Sequence, residues 1–189
     1  MTARSDLTEL LLACYRRDAT AQRHMYHNWY GFATTKATPY GQNTIEVEEI
    51  VQDAFLKVFM ALAREAFTGN FASYFHRIIV NAGIDYYRRS SRRRQRELTT
   101  DVHKEEGACA ANTALQQLEQ QDCLQLLQRL PPTSRIVFNL YVFEGYQHTD
   151  IAKLLNISEG TSRSYLFKAR QTLRPLVRSY LHSNTLHNE

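Results

Sequence analysis

Arginine supplies the densest chemistry in this chain. Six arginines fall between Arg88 and Arg96, in the stretch DYYRRSSRRRQR. That concentration of fixed charge exceeds what solubility requires, and duplex phosphate is its natural counterpart. A second cationic set lies in DIAKLLNISEGTSRSYLFKAR, Asp150 to Arg170. At helical spacing Arg163, Ser164, Phe167 and Lys168 share one face, while Ser162, Leu166, Ala169 and Leu173 share the other. Two cations, a hydroxyl and an aromatic gain little from water, but they match phosphate oxygens and base edges in a major groove. Arginine offers a rigid fork to guanine, and lysine a mobile point charge.

Other chemistries find little support. His24, His27, His76, His103 and His148 are scattered, and there is no HExxH or comparable spacing. His24 and His27 stand one helical turn apart, as chance pairs often do. No metal, cofactor or catalytic centre is therefore expected. Cys14, Cys109 and Cys123 show no CxxC spacing and leave one thiol over in any pairing scheme, which suits a reducing compartment. The N-terminus has only a brief apolar run before Arg16 and Arg17, unlike a signal peptide. No stretch approaches the roughly 20 apolar residues of a membrane span. A soluble cytoplasmic protein without membrane insertion is expected, and its net charge of +4 favours anionic partners.

Helices must position these residues. Val47, Ile50, Val51, Ala54, Phe55, Val58, Phe59 and Leu62 recur at helical spacing, with Glu48, Glu49, Gln52, Asp53 and Lys57 between them. After a break at FTGN a second stripe runs through Phe71, Phe75, Ile78 and Ala82, with Tyr74, Arg77, Asn81 and Arg88 on a different face. Asp85 precedes Arg88 and Arg89 by three and four residues and is placed to pair with either. Leu7 to Ala33 reads as two more helices, and TTKATPYGQNT as a loop. From about Ser90 to Asn112 periodicity is lost, the mark of a linker. A helical pattern resumes from Leu115 to Leu130. Proline in LPPTSR opens the next helix, which passes through Val137, Leu140 and Tyr141 and stops near Gly145. Thr149 or Asp150 then caps a helix burying Ile151, Leu154 and Leu155, and Ser158 caps the last, with Glu159 complementing its dipole. The two meet at Asn156-Ile157-Ser158 in helix-turn-helix order. The expected fold is all-α, with two small helical domains, 1–92 and 113–189, joined by a flexible linker, 93–112.

Two of these segments carry a specific likeness. LQRLPPTSRIVFNLYVFEGYQHTDIAKLLNISEGTSRSYLFKARQTLR resembles the C-terminal promoter-binding domain of bacterial sigma factors of the extracytoplasmic-function group, in the sigma-70 family. EEIVQDAFLKVFMAL followed by FASYFHRIIVNAGIDYYRR is similar to the N-terminal domain of the same group. The resemblance implies a non-enzymatic protein that binds core RNA polymerase, through its clamp coiled coil and flap, and reads promoter DNA under the control of an anti-sigma factor. It assigns Glu49, Gln52, Asp53 and Leu56 to polymerase docking. To reading and melting the minus-ten element it assigns Phe67, Thr68, Gly69 and Asn70, a loop that captures a flipped base, with Tyr74, Arg77, Asn81, Arg88 and Arg89. To the minus-thirty-five element it assigns Arg163, Ser164, Phe167 and Lys168, with Arg170 and Arg174 near the backbone. The linker, with Asp101, Glu105 and Glu106, would occupy the channel that RNA later takes. Tyr74 stands where the family usually has tryptophan, and Tyr165 where it usually has a basic residue. The rival reading is a stand-alone helix-turn-helix regulator, which leaves VQDAF and the aromatic loop unexplained.

Overall fold

A computed structural model describes residues 2–97, 122 and 124–185. The chain divides into two compact units, Met1–Thr99 and Thr100–Glu189. Among the described residues both are helical, with no strand. Asp101, Glu105 and Glu106, and half of the Leu115 to Leu130 pattern, lie outside the described residues.

The first unit holds four helices: α1 Thr2–Tyr15, α2 Ala19–Ala37, α3 Thr44–Leu62 and α4 Phe71–Glu97. α3 packs against α2 and α4, and α1 closes on α2 and α3. Short polar side chains open α2 and α3. Asp18 accepts from the amides of Thr20 and Ala21, which pulls its carboxyl below the usual range. Asn43 caps α3 by accepting from Glu46 N–H at 2.9 Å, and the Glu46 carboxylate accepts from Gln42 N–H, just before the cap, at 2.9 Å.

The stripe predicted for α3 is the buried face of that helix. Val47, Ile50, Val51, Ala54, Phe55, Val58 and Leu62 are all buried, and Phe59 is half-buried. On α4, Phe71, Phe75 and Ala82 are buried as expected, but Ile78 is only half-buried and Ile79 takes the core position. Trp29 packs edge-on against Phe71 at 4.9 Å, and Phe55 lies 4.9 Å from Phe75. Burial of such rings is the principal stabilising term of the unit, about 1.5–3 kcal/mol each.

Two sequence expectations need correction here. The loop is shorter than TTKATPYGQNT, because α2 continues to Ala37, while Tyr40 turns inward at 2 % exposure. Its ring lies on the backbone of α4 at Gly83, where a Cβ would come within 2.4 Å of Tyr40 Cγ. The stretch from Ser90 is not yet linker, since α4 runs through the arginines to Glu97. Arginine and glutamine are good helix formers, so the helix persists after its apolar stripe has ended.

In the second unit, residues 124–128 are helical. They are followed by α5 Pro132–Phe138, a π-helical turn Asn139–Phe143, α6 His148–Leu155 and α7 Glu159–Thr185. Pro132 stands at the first position of α5, as the sequence suggests. The end expected near Gly145 is reached by way of the π turn, after which Gly145 takes a φ of 73°. Leu127, Leu130, Ala169 and Leu173 form one buried cluster, flanked by Leu126 and Phe138.

Candidate nucleic-acid interface and docking helix

The tight join that sets α7 against α6 is made by Asn156. It ends α6 in the left-handed region at φ 55°, a conformation asparagine tolerates better than other side chains. The Ile157 amide then donates to Ala152 O at 3.0 Å. Ser158 caps α7 as expected, accepting from Thr161 N–H at 3.0 Å. α6 departs from the expected cap: it starts at His148, preceded by Gln147 with no side-chain bond, so Thr149 and Asp150 lie inside the helix. Ile151 and Leu155 are buried and Leu154 is half-buried.

Ser162, Leu166, Ala169 and Leu173 are buried, and Arg163, Ser164, Phe167 and Lys168 are exposed, as helical spacing requires. Phe167 is 64 % exposed. The buried Ser162 hydroxyl is not left unpaired, because it bonds His148 Nδ1 at 2.9 Å. The His148 ring stacks on Tyr141 at 4.5 Å, and the Arg170 guanidinium lies over the other partner of that stack, 5.9 Å from the Tyr141 centroid. Burial and the nearby Arg163 and Arg170 charges hold His148 below its ordinary pKa, with Glu159 working the other way. The His148 imidazole thus joins α6 and the π turn to α7 behind the exposed face. Arg163 reaches back one turn to Glu159, Nε donating at 3.2 Å, and Lys168 lies over Tyr165. Both contacts are at the surface, where an ion pair contributes roughly 0–1 kcal/mol and a cation–π contact about 0.5–1 kcal/mol. Arg174 is exposed one turn further on.

In the first unit the 67–70 loop presents Thr68, Gly69 and Asn70 to solvent. Gly69 has φ 117°, outside the range L side chains adopt readily. Asn70 accepts from Ser73 N–H at 3.1 Å and so caps α4, which gives it a structural role beside the one predicted. Phe67 is half-buried, with its ring 4.9 Å from Tyr74 and edge-on to Phe71 at 5.7 Å. Tyr74, Arg77, Asn81 and Arg88 lie along one side of α4, with Arg77 and Asn81 exposed and Tyr74 and Arg88 half-buried. The loop and this face adjoin, presenting aromatic, amide and guanidinium groups together.

Arg89 turns the other way, toward α3. Its guanidinium is 3.9 Å from Asp53 and 4.0 Å from Glu49. Asp85 does not pair with Arg88 or Arg89, as local spacing suggests; it bonds Lys57 at 3.0 Å, and Lys57 also reaches Asp53 at 3.1 Å. Burial works against the Lys57 charge, but the bonds to Asp85 and Asp53 outweigh it and raise its pKa. Lys57 is therefore a structural centre that periodicity does not single out, because its partner lies 28 residues away. Of the four residues expected to dock, Glu49, Gln52 and Leu56 are exposed on one face of α3, while Asp53 is drawn partly inward by these cations.

Comparison with known proteins now bears on this arrangement. The family model Sigma-70 region 2 matches residues 25–93, and Sigma-70, region 4 matches residues 114–173. Together they cover more than half of the sequence. The chain belongs to the sigma-70 family. Its sigma region 2 contains α3, the 67–70 loop and most of the arginine run, and its sigma region 4 contains the helix-turn-helix. Among curated relatives, "ECF RNA polymerase sigma factor SigM" of Mycobacterium tuberculosis is 29% identical over 175 residues, spanning 92% of this chain and 85% of the relative. "Probable RNA polymerase sigma factor RfaY" of Xanthomonas campestris pv. campestris is 30% identical over 131 residues, 67% of this chain. The aligned stretch spans 33% of that relative's length. Among solved structures, that of the sigma factor RpoE in complex with the anti-sigma factor NepR from Bartonella quintana matches with a TM-score of 0.48 and 19% identity, covering 82% of this chain and 96% of that chain.

Periodicity alone reveals the exposed sigma region 4 face. It does not reveal Tyr141 and His148 as the support of that face, because a stack between residues of different helices leaves no periodic trace. Nor does it reveal Arg135, a buried cation that donates to the Gln128 side chain and to its carbonyl at 3.4 Å. No helix among the described residues is long and apolar enough to cross a membrane.

Proposed function

We propose that this chain is an extracytoplasmic-function sigma factor that binds core RNA polymerase, directs it to promoters and nucleates their melting. One observation carries this: sigma regions 2 and 4 are matched in order on the same chain. In this reading α3 docks on the polymerase clamp coiled coil through Glu49, Gln52, Asp53 and Leu56, and the second unit meets the flap. The 67–70 loop takes a flipped base of the minus-ten element, with Phe67 and Tyr74 as a stacking platform. Asn81 and Arg77 contact the strand beside it, and Arg88 holds duplex phosphate, joined by Arg89 once its long contacts to Asp53 and Glu49 give way. α7 enters the major groove of the minus-thirty-five element with Arg163, Ser164, Phe167 and Lys168 toward the bases, and Arg170 and Arg174 toward the backbone. The protein works in the cytoplasm, on the nucleoid when active, and an anti-sigma factor withholds it until a signal arrives.

The test is transcription from a promoter library by bacterial core polymerase, with and without the purified protein. Initiation at a defined subset of promoters only in its presence is the expected result. A protein that leaves core polymerase unbound but holds two-fold operators by itself would instead be a stand-alone regulator.

A further inference from the structure

One glycine of α2 has no structural reason to be there. Gly31 lies within a helix, where glycine is the least favourable residue after proline. A Cβ built on it would meet no atom within 4 Å, so close packing does not demand its absence. What a side chain there would occupy is an open cleft of about 400 Å³, lined by Tyr26, His27, Tyr30, Gly31, Glu48 and Gln52. Tyr26 and Tyr30 stand one turn apart on α2 with ring centroids 5.4 Å apart and planes inclined by 39°. Phe55 backs Tyr26 at 4.6 Å and keeps its ring in place. From α3 come the Glu48 carboxylate and, one turn later, the Gln52 amide, both exposed. Glu48 forms no ion pair among the described residues, whereas Glu49 and Asp53 on the same helix do.

Two electron-rich rings, an unpaired carboxylate and an amide oxygen around an open space make a receptor for a cation on an apolar stem. Among the described residues no lysine or arginine lies over either ring. A guanidinium fits better than an ammonium, because it can lie flat against a ring while forking to the carboxylate. The cleft also has an evident owner. Gln52 belongs both to it and to the outward stripe of α3, where Ile45, Leu56 and Met60 are 77%, 59% and 52% exposed. A protein covering that stripe must reach the cleft's edge.

We propose that the cleft between α2 and α3 receives an arginine side chain of core RNA polymerase when the polymerase docks on α3. The assignment rests on reading α3 as the docking helix, and it adds a receptor formed largely by α2. Gly31 keeps the receptor open, Tyr26 and Tyr30 flank the guanidinium, and Glu48 pairs with it.

Two measurements decide it. In the first, the full chain is titrated with N-acetyl-arginine amide and, separately, with the neutral isostere N-acetyl-citrulline amide, while the Tyr26 and Tyr30 ring resonances are followed. Arginine should shift both rings, citrulline should not, and the shifts should vanish in Glu48→Gln and Gly31→Phe. In the second, affinity for bacterial core polymerase is compared. Glu48→Gln and Gly31→Phe should each weaken it at least 10-fold without lowering the melting temperature. Equal shifts from citrulline, or unaltered core affinity in both variants, would overturn the assignment. Failure of the wild-type chain to bind core polymerase would overturn the docking reading and the polymerase as partner, while the arginine–citrulline contrast still reports whether the cleft selects guanidinium.

Discussion

Arg163 illustrates how one residue can hold a surface contact and remain available for recognition. Its bond to Glu159 is exposed on both sides and stabilises the fold by less than about 1 kcal/mol. A bidentate contact to guanine discriminates by about 1–3 kcal/mol. Arg163→Ala should therefore leave the melting temperature nearly unchanged, keep core polymerase affinity intact and cut use of the upstream promoter element roughly 10- to 100-fold. Equal loss of promoter and polymerase binding would contradict the assignment. His148 carries a different prediction. Its pKa is lowered from 6.5 in the folded chain by burial first and then by Arg163 and Arg170. The unfolded chain thus binds the proton more readily, and stability is full above about pH 7 and declines as pH falls through 6.5 toward the folded value. Thermal melts from pH 7.5 to 5.5 should show a decline that is smaller in His148→Gln, whose side chain can still bond Ser162 but carries no proton-binding site. These two residues also show what sequence can and cannot reveal at this scale. Arg163 is legible because exposure follows from position on a helix wheel. The lowered pKa of His148 is not, because it depends on burial and on cations brought near by the turn.

At the scale of elements, apolar periodicity locates the long helices of the first unit, and its silences account for the discrepancies. α4 has a stripe only while it faces α3, so its solvated arginine-rich end reads as linker although nothing in its composition breaks a helix. The π turn at Asn139–Phe143 is invisible for a related reason: an extra residue in one turn shifts the phase of a pattern too short to measure. The loop before α3 is shorter than its proline and glycine imply, because the role of Tyr40 depends on α4. Gly83 makes that dependence testable. Alanine normally improves a helix by about 1 kcal/mol over glycine, but here its methyl would meet the Tyr40 ring at 2.4 Å. Overpacking against a buried ring costs about 1–3 kcal/mol. Gly83→Ala should lower the urea midpoint, and pairing it with Tyr40→Ala should recover part of the propensity gain. A simple stabilisation by Gly83→Ala alone would mean that the Tyr40 ring is not tightly packed on α4.

At the scale of the whole molecule, the division into two units has consequences for binding. Each unit has its own buried cluster and its own exposed basic face, so each should fold and bind separately: residues 1–99 should be captured by core polymerase, and residues 100–189 should hold duplex DNA weakly. Linking them turns the second binding event into an intramolecular one, at an effective concentration in the millimolar range for short linkers. On core polymerase, the full chain should therefore hold promoter DNA some 10²–10⁴ times more tightly than either fragment. Salt separates this tethering from simple charge. Replacing Arg92, Arg93 and Arg94 together by alanine should reduce the slope of log K against log salt by about 0.9 for each phosphate that is no longer neutralised. Because phosphate binding carries no sequence information, the ranking of promoters should stay the same. Affinity measured from 50 to 300 mM salt on two promoters and one scrambled duplex tests both points. An unchanged slope would place these arginines away from DNA, and a reordered promoter ranking would place them among the bases.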